Sequence, residues 1–116
     1  MLVYYAHCKA IYDTPQEQRD IKILQRLGFT VLNPNEFKHK ANWESKGMEY
    51  ADFLVGSSDA VAFRALPGGS IPAGVSKEIH IAERLGLPVI ELPNFSLRET
   101  MSIEHTRAYL AEVGER

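Results

Sequence analysis

A carboxylate that follows a glycine-rich loop is the feature of this sequence with the clearest chemical potential. The stretch Arg64 to Gly74 contains Gly68 and Gly69, and Glu78 comes four residues after Gly74. Glycines let the backbone approach a ligand closely, and the N–H groups at the start of a helix attract anions. We expect Glu78 in the first turn of a helix, where the helix dipole keeps a carboxylate ionised. The loop and this glutamate together predict an active site.

The flanking residues predict a strand, a helix and a second strand that would position this loop. Ala60 to Phe63 and Pro88 to Leu92 are short apolar runs, typical of buried parallel strands. Between them apolar residues recur at helical spacing, namely Val75, Ile79, Ala82 and Leu85. Because the crossover between parallel strands is right-handed, the loop falls at the carboxyl edge of the sheet, where open α/β sheets bind their ligands.

The rest of the chain repeats this alternation. Leu2 to Ala6 and Phe29 to Leu32 are apolar, β-favouring runs, and Thr14-Pro15-Gln16-Glu17 combines a capping threonine, a proline and a glutamate as helix starts do. We expect the polar stretch Glu36 to Asn42 to be irregular. The apolar stripes of the remaining helices are Ile21, Leu24 and Leu27 in the first, Met48, Ala51, Leu54 and Val55 in the second, and Ile103, Ala108, Leu110 and Val113 in the last.

The alternation predicts one α/β domain over residues 1–116, with a three-layer α/β/α, Rossmann-like (flavodoxin-like) fold. Its parallel sheet would have about four strands in the order 2-1-3-4. That order places the residues after strands one and three around one crevice. We expect the crevice to be formed by His7, Lys9, Arg64, the glycine loop and Glu78, with Asn33 to Asn35 on its flank. Asp59 lies at the opposite end of strand three and is interpreted as a structural cap.

Composition and charge exclude several function classes. The 116 residues are 45% hydrophobic and 24% charged, which fits one compact domain. The net charge of −2 is spread along the chain, so binding to a nucleic acid duplex is not expected. The apolar run at the N-terminus stops at Ala6, which is too short for a membrane span. A lone cysteine, Cys8, is typical of a reducing compartment, so we expect a cytoplasmic protein without membrane contact.

No cofactor or metal is predicted. The four histidines are isolated and have no spacing typical of zinc ligands. The glycine loop lacks the Gly-Lys-Ser/Thr of a phosphate-binding P-loop, and it does not have the position of a dinucleotide fingerprint. Lys38, His39 and Lys40 allow two interpretations, a phosphate-attracting cluster or a solvated loop. Trp43 and Phe37 line a lid or a subunit contact, or they close the core.

Over its first 92 residues the chain resembles the nucleoside 2-deoxyribosyltransferase-like superfamily. The resemblance rests on Tyr4-Tyr5-Ala6, Asn33-Pro34, Ser58-Asp59-Ala60-Val61 and Gly74-Val75-Ser76-Lys77-Glu78-Ile79. It is closest to small bacterial and phage members, whose loop also carries a serine, here matched by Ser70. Pro67-Gly68-Gly69 is similar to the loop of phosphoribohydrolases that cleave nucleotides. Six residues before Glu78, where the transferases place an aspartate, this chain has Pro72.

The resemblance implies an enzyme that breaks or exchanges the N-glycosidic bond of a nucleoside or nucleoside monophosphate. Glu78 would be the nucleophile, as in retaining glycosidases, and His7 or a water would protonate the leaving base. Tyr4 or Tyr5, beside Ala6, would stack on the base. For a 5′-phosphate the candidates are the cations Lys9 and Arg64 and the loop and helix-start residues Gly68, Gly69, Ser70, Gly74 and Ser76.

Two alternatives stay open from the sequence. Glu78 would also stabilise a helix start by roughly 0.3 to 1 kcal/mol without doing chemistry. The missing aspartate at Pro72 favours a second function, a non-catalytic nucleotide-binding module that senses or sequesters its ligand. In either case the partner is a small nucleoside or nucleotide. Because a domain of this size has little area to enclose a ligand, and members of the superfamily share sites between subunits, we expect a homodimer.

Overall fold

A computed structural model describes residues 1–93 and 103–112 and confirms the predicted architecture. The four strands are all parallel and lie in the order β2-β1-β3-β4. The strands are β1 (Leu2–Ala6), β2 (Thr30–Leu32), β3 (Ala60–Phe63) and β4 (Val89–Glu91). The helices are α1 (Pro15–Arg26), α2 (Lys40–Lys46), α3 (Glu49–Gly56), α4 (Ala73–Arg84) and α5 (Ile103–Glu112), with short 3-10 turns at Lys9–Ile11 and Phe37–His39.

The two central strands divide the core into two layers. On one face of the sheet, Tyr5 and Ala62 pack with Leu24 of α1. On the other, Tyr4 and Val61 pack against α3 and α4. Successive residues of a strand point to opposite faces, so neighbours in β1 belong to different layers. This alternation decides which side chains after β1 can reach the ligand crevice.

Helix α1 begins as predicted, but its glutamate is used differently. The Thr14 hydroxyl accepts a hydrogen bond from the Glu17 N–H at 3.4 Å, and Pro15 is the first helical residue. The Glu17 carboxylate turns into the protein and is buried, instead of completing a capping box at the surface. The predicted inner stripe is also shifted, because Leu24 is buried while Leu27 is 64% exposed.

The stretch predicted to be irregular after β2 contains a helix. Its second half is the start of α2, which runs to Lys46 and ends at Gly47, a residue with φ of +56°. Trp43 fixes this helix to the β2 loop, since its indole N–H donates to the Pro34 carbonyl at 3.1 Å. A seven-residue helix with one large apolar residue leaves almost no periodic signal in the sequence.

At the other end of the sheet, Asp59 has the structural role that the sequence indicated. Its carboxylate accepts a hydrogen bond from the Leu2 N–H at 2.7 Å, and its own N–H donates to the Leu2 carbonyl at 2.8 Å. These two bonds align β1 with β3 at their amino ends. The carboxyl ends of the same strands are left to form the ligand crevice.

Candidate active site

A cavity of about 900 Å³ opens at the carboxyl edge of the sheet, where the strand order changes direction. The residues that line it come from the end of β1, the two loops that follow β1 and β2, helix α2 and the start of α4. Among them are Tyr4, Cys8, Lys9, Tyr12, Asp13, Asn35, Lys40, Trp43, Gly74 and Glu78. The position agrees with the rule that open α/β sheets bind ligands beside this switch point.

Glu78 lies in this cavity and is almost completely buried, with 7% of its surface exposed. Helix α4 begins at Ala73, so Glu78 is its sixth residue and not part of the first turn. Burial raises the pKa of Glu78 to about 7, while the Tyr4 hydroxyl acts in the opposite direction. The expectation of a carboxylate kept ionised by the helix start is therefore corrected. Near neutral pH the group is divided between its acid and its base forms.

Tyr4 places its hydroxyl next to Glu78 in the same cavity. Its side chain is fully buried, and its hydroxyl makes no well-formed hydrogen bond within the described part of the chain, although it lies close enough to the Glu78 carboxyl for each group to shift the pKa of the other. Burial, and then the charge of Glu78, raise its pKa well above the ordinary value. A buried polar group without a partner costs free energy, so it usually has a water or ligand to bind. This hydroxyl is a candidate hydrogen-bond donor to a ligand.

The start of α4 forms another wall. Pro72 precedes the helix without a side-chain cap, and the first intrahelical bond runs from the Ser76 N–H to the Pro72 carbonyl. The N–H groups of Gly74 and Val75 come before that bond, and both residues line the cavity. Helix starts of this kind attract anions. Lys9 and Lys40 line the same cavity and add two positive charges.

The middle of the glycine loop lies outside the cavity, which corrects its expected contribution, whereas the end of the loop at Gly74 lines it. Gly68, Gly69 and Ser70 are exposed and are not among the residues that line the cavity. They form a closed turn, in which the Leu66 N–H donates to the Ser70 carbonyl at 2.9 Å. Gly69 has a φ of +87°, so its glycine is required by the turn and not by the approach of a ligand.

His7 does not present its ring to the cavity. The side chain is completely buried on the α1 side, where it stacks on Tyr5 with the ring centroids 3.7 Å apart. Its Nδ1 is 3.0 Å from the Tyr5 carbonyl oxygen and its Nε2 is 2.7 Å from Glu17 Oε2. Both nitrogens are therefore engaged. The expectation that His7 protonates a leaving base is corrected, because residues 5 and 7 share the strand face opposite to Tyr4.

The side chains of Arg64 and Tyr5 likewise have structural roles, and neither residue lines the cavity. The Arg64 guanidinium is buried and binds Asp20 through Nε at 3.0 Å and through a second nitrogen at 2.5 Å. It also donates to the Pro93 carbonyl at 2.6 Å. The Tyr5 hydroxyl donates to Asp20 at 2.5 Å. Neither side chain is available for a base or a phosphate.

The other predicted site residues have different surroundings. Ala6 is fully buried in the core, and Asn33 shapes the β2 loop by accepting from the Asn35 N–H at 3.0 Å. Ser76 lines a separate groove on the outer side of α4, together with His80 and Arg84. Of the residues proposed from the sequence, the cavity brings together Tyr4, His7 through its backbone, Lys9, Gly74 and Glu78.

For the aromatic wall, sequence reasoning left the role of Trp43 open and missed Tyr12. Tyr12 lines the cavity, and burial, followed by the charge of Glu78, raises its pKa to about 12. Trp43 lines it as well and is held edge-on against Tyr50, with 5.2 Å between the ring centroids. Flat apolar rings beside polar groups suit a planar aromatic ligand. A tyrosine six residues after a buried strand was the only sequence signal for Tyr12.

Two buried acids and one strained residue also escaped the sequence interpretation. Glu17 and Asp20 are buried on the inner side of α1, three residues apart and in line with Leu24. Asp13 has a φ of +61°, which is uncommon for a residue other than glycine, and it lines the cavity. Carboxylates on the apolar side of a predicted helix were the available signal for the first two.

The fold and site together define a three-layer α/β domain with a ligand cavity at the switch point of its parallel sheet. Comparisons with protein-family models, with curated proteins and with solved structures found no match. In residues 1–93 and 103–112, no three histidine, cysteine or carboxylate side chains group as metal ligands would. None of the helices among those residues combines the length and the apolar character that crossing a bilayer requires.

Proposed function

We propose that this protein breaks the N-glycosidic bond of a nucleoside or nucleoside monophosphate, with Glu78 as the nucleophile. The single observation that carries the proposal is the buried Glu78 carboxyl, which lies beside the buried Tyr4 hydroxyl in the cavity that both residues line. The aromatic wall of Tyr12 and Trp43 suits a base, and Lys9 and the α4 start suit a phosphate if one is present. The sequence resemblance to the deoxyribosyltransferase-like superfamily points the same way.

The proposed reaction has two steps. In the first, a Glu78 oxygen bonds to the anomeric carbon while the bond from that carbon to the base nitrogen breaks, and its electron pair leaves with the base. The base takes up a proton from water, since the His7 ring does not reach the cavity. In the second, water or another base attacks the anomeric carbon, the bond from that carbon to Glu78 breaks, and Glu78 leaves as a carboxylate. The proton of the attacking group passes to the solvent and balances the proton taken up by the first base. Hydrolysis and transfer differ only in that second acceptor.

Ionisation of Glu78 sets the expected pH dependence. Only the carboxylate attacks carbon, and burial raises the pKa of this group to about 7. The rate of base release should therefore increase as pH rises through about 7 and level off above it. This dependence distinguishes a nucleophilic role from a helix-stabilising one, which would not affect turnover.

The test is chromatographic detection of free base from ribo- and deoxyribonucleosides and their monophosphates. We expect release by the wild-type protein and a loss of at least a hundredfold in Glu78→Gln, which keeps the shape but cannot form the glycosyl ester. Glu83→Gln, an exposed glutamate of the same helix, is the matched control and should retain full activity. Equal turnover by Glu78→Gln and wild type, or no turnover of any substrate by the wild type, would refute the proposal.

A non-catalytic binding module is the second candidate, favoured by the incomplete ionisation of Glu78 at neutral pH. It requires the wild type to bind a nucleoside or nucleotide in calorimetry without releasing base, and Glu78→Gln to bind equally well. Under either proposal we place the protein in the cytoplasm, where such ligands are abundant and the half-buried Cys8 thiol would stay reduced.

A further inference from the structure

The hydrogen bonds of His7 raise the question of where the proton between its ring and the Glu17 carboxyl lies. A carbonyl oxygen can only accept, so Nδ1, which is 3.0 Å from the Tyr5 carbonyl, must carry a proton. A neutral imidazole would then have a bare lone pair on Nε2. That atom lies 2.7 Å from Glu17 Oε2, and an ionised carboxylate is also an acceptor only. Two acceptors at this distance, both buried, require a proton between them.

We propose that His7 and Glu17 hold one such proton between Nε2 and Oε2 at neutral pH, and that this buried pair positions Asp13 and Asn35 at the cavity wall. In this role Glu17 and His7 are positioning residues, because neither side chain reaches the cavity itself. The inference concerns the part of the wall that Asp13 and Asn35 form, and it does not depend on any chemistry at Glu78.

The contacts of Glu17 show how the pair would act on the wall. The Asn35 side-chain amide donates to both carboxylate oxygens, at 3.2 and 3.1 Å, and also to Asp13 Oδ1 at 3.1 Å. The Asp13 N–H points to Glu17 Oε1 at 3.4 Å. Asp13 and Asn35 both line the cavity. One buried carboxylate therefore holds two cavity residues from behind.

The backbone of Asp13 needs this support. A φ of +61° is unfavourable in a residue other than glycine and persists only where the surroundings fix it. The two bonds to Glu17 and Asn35 are the contacts that fix it here. Without them the loop would relax, and the Asp13 carboxylate would leave its place in the wall.

The other buried charges near the pair are compensated, so the net charge of this region depends on the proton that His7 and Glu17 share. Burial lowers the pKa of His7 below its ordinary value, and its hydrogen bonds to Glu17 and to the Tyr5 carbonyl oppose that shift only in part. Asp20 carries a negative charge on the same helix, but Arg64 compensates it in a bidentate pair. Several titratable or charged groups of the surrounding elements face the pair. They are Tyr5 of β1, Tyr12 and Asp13 of the loop after β1, Asp20 of α1, and Arg64, which directly follows β3.

The variant Glu17→Gln separates the shared proton from the positioning of the wall. Its amide N–H₂ can donate to Nε2, while its carbonyl accepts from Asn35, so the contacts survive with a neutral His7 and no proton to share. Alanine removes both contacts. Glu44→Gln, at an exposed residue that also lines the cavity, is the matched control.

The experiment is NMR of the full chain, with ¹⁵N signals for the His7 ring and the Asn35 amide and ¹³C signals for the Glu17 carboxyl. At pH 7 we expect the wild type to show either an imidazolium beside a carboxylate or a neutral ring beside a protonated carboxyl. Glu17→Gln should show a neutral ring protonated at Nδ1 with Asn35 signals close to wild type. Glu44→Gln should leave all three groups of signals unchanged.

Two results would overturn the proposal. A neutral His7 beside an ionised Glu17 in the wild type at pH 7 would exclude the shared proton. The positioning of Asn35 is tested by an NMR titration of the wild type from low to high pH, in which the Asn35 amide signals should move together with the His7 ring signals. In Glu17→Gln, the Asn35 amide signals should not change with pH. If the His7 ring signals move with pH and the Asn35 amide signals do not, or the reverse, Glu17 does not couple the pair to the cavity wall. This test uses the wild-type protein and so does not depend on whether Glu17→Ala folds.

Discussion

At the scale of single residues, Glu78 shows how burial changes the chemistry of a side chain. Removal from water disfavours the charged form of a carboxyl, and here this effect outweighs the opposing contact with Tyr4. The result is a carboxyl that exchanges its proton near neutral pH, as catalytic acids and bases do. A surface glutamate in a first helical turn would have had the opposite behaviour.

The same shift makes a prediction about stability. In the unfolded chain Glu78 ionises at its ordinary pKa of 4.5, but in the folded protein at about 7, so the folded state binds more protons in between. Stability contributed by this group is complete below about pH 4.5 and is lost as pH rises to 7, by about 3 kcal/mol in total. Glu78→Gln removes the titration, so its free energy of unfolding should exceed that of wild type increasingly over this window.

Urea denaturation at pH 5, 6 and 8 measures this difference. The advantage of Glu78→Gln should grow with pH and become constant above neutrality, while Glu83→Gln should differ little from wild type at every pH. An advantage of Glu78→Gln that is the same at pH 5 and pH 8 would show that the folded-state pKa of Glu78 is not raised.

His7 shows what could have been predicted at this scale and what could not. The residue is next to the correct strand end, but residues two apart in a strand share a face, so His7 follows Tyr5 toward α1. That assignment was available from the sequence. Its bond to Glu17 was not, because it depends on how α1 is rotated against the sheet.

At the scale of elements, α1 is held to the sheet by charge as well as by apolar contact. Asp20 of this helix binds Arg64 at the end of β3, and Arg64 extends to the Pro93 carbonyl after β4. Three elements therefore depend on one buried ion pair. The sequence indicated Arg64 as a free cation, because nothing in a helical pattern says that one of its acids faces inward.

We predict that Arg64→Met destabilises the protein by about 3–5 kcal/mol, because it leaves the Asp20 charge buried without its partner. The matched control is Arg84→Met, which removes an exposed ion pair with Asp52 at 3.4 Å and should cost less than about 1 kcal/mol. Thermal and urea unfolding of the two variants give the comparison. Similar losses in both would mean that the buried pair contributes no more than a surface contact.

At the scale of the whole molecule, the strand order and the place of the cavity followed from the sequence, whereas the cavity wall did not. Alternating apolar strands and amphipathic helices define a parallel sheet, and the sheet order fixes where a ligand binds. The side of the cavity formed by α2 was not predicted, since a short polar helix has little apolar periodicity. Apolar periodicity in the sequence predicts the layers of the fold and the edge of the sheet where a ligand binds. It does not predict the contacts made by short or irregular segments.

A row of aromatic rings leads from the cavity to the protein surface and bears on assembly. Trp43 in the wall packs against Tyr50, and Tyr50 stacks on Phe53 with 5.9 Å between the centroids. Phe53 is 65% exposed on α3. An exposed aromatic residue that continues a buried row is a typical docking point for another chain.

We therefore expect a homodimer that uses the α3 face, with a mass in light scattering of twice that of one chain at micromolar concentrations. Phe53→Glu should shift the mass toward the monomer, because a charge in an apolar contact is costly to bury. Leu27→Glu alters an equally exposed apolar residue of α1, on the other face of the sheet, and should leave the dimer intact. A monomeric wild type, or a dimer that Leu27→Glu disrupts and Phe53→Glu does not, would contradict this assembly.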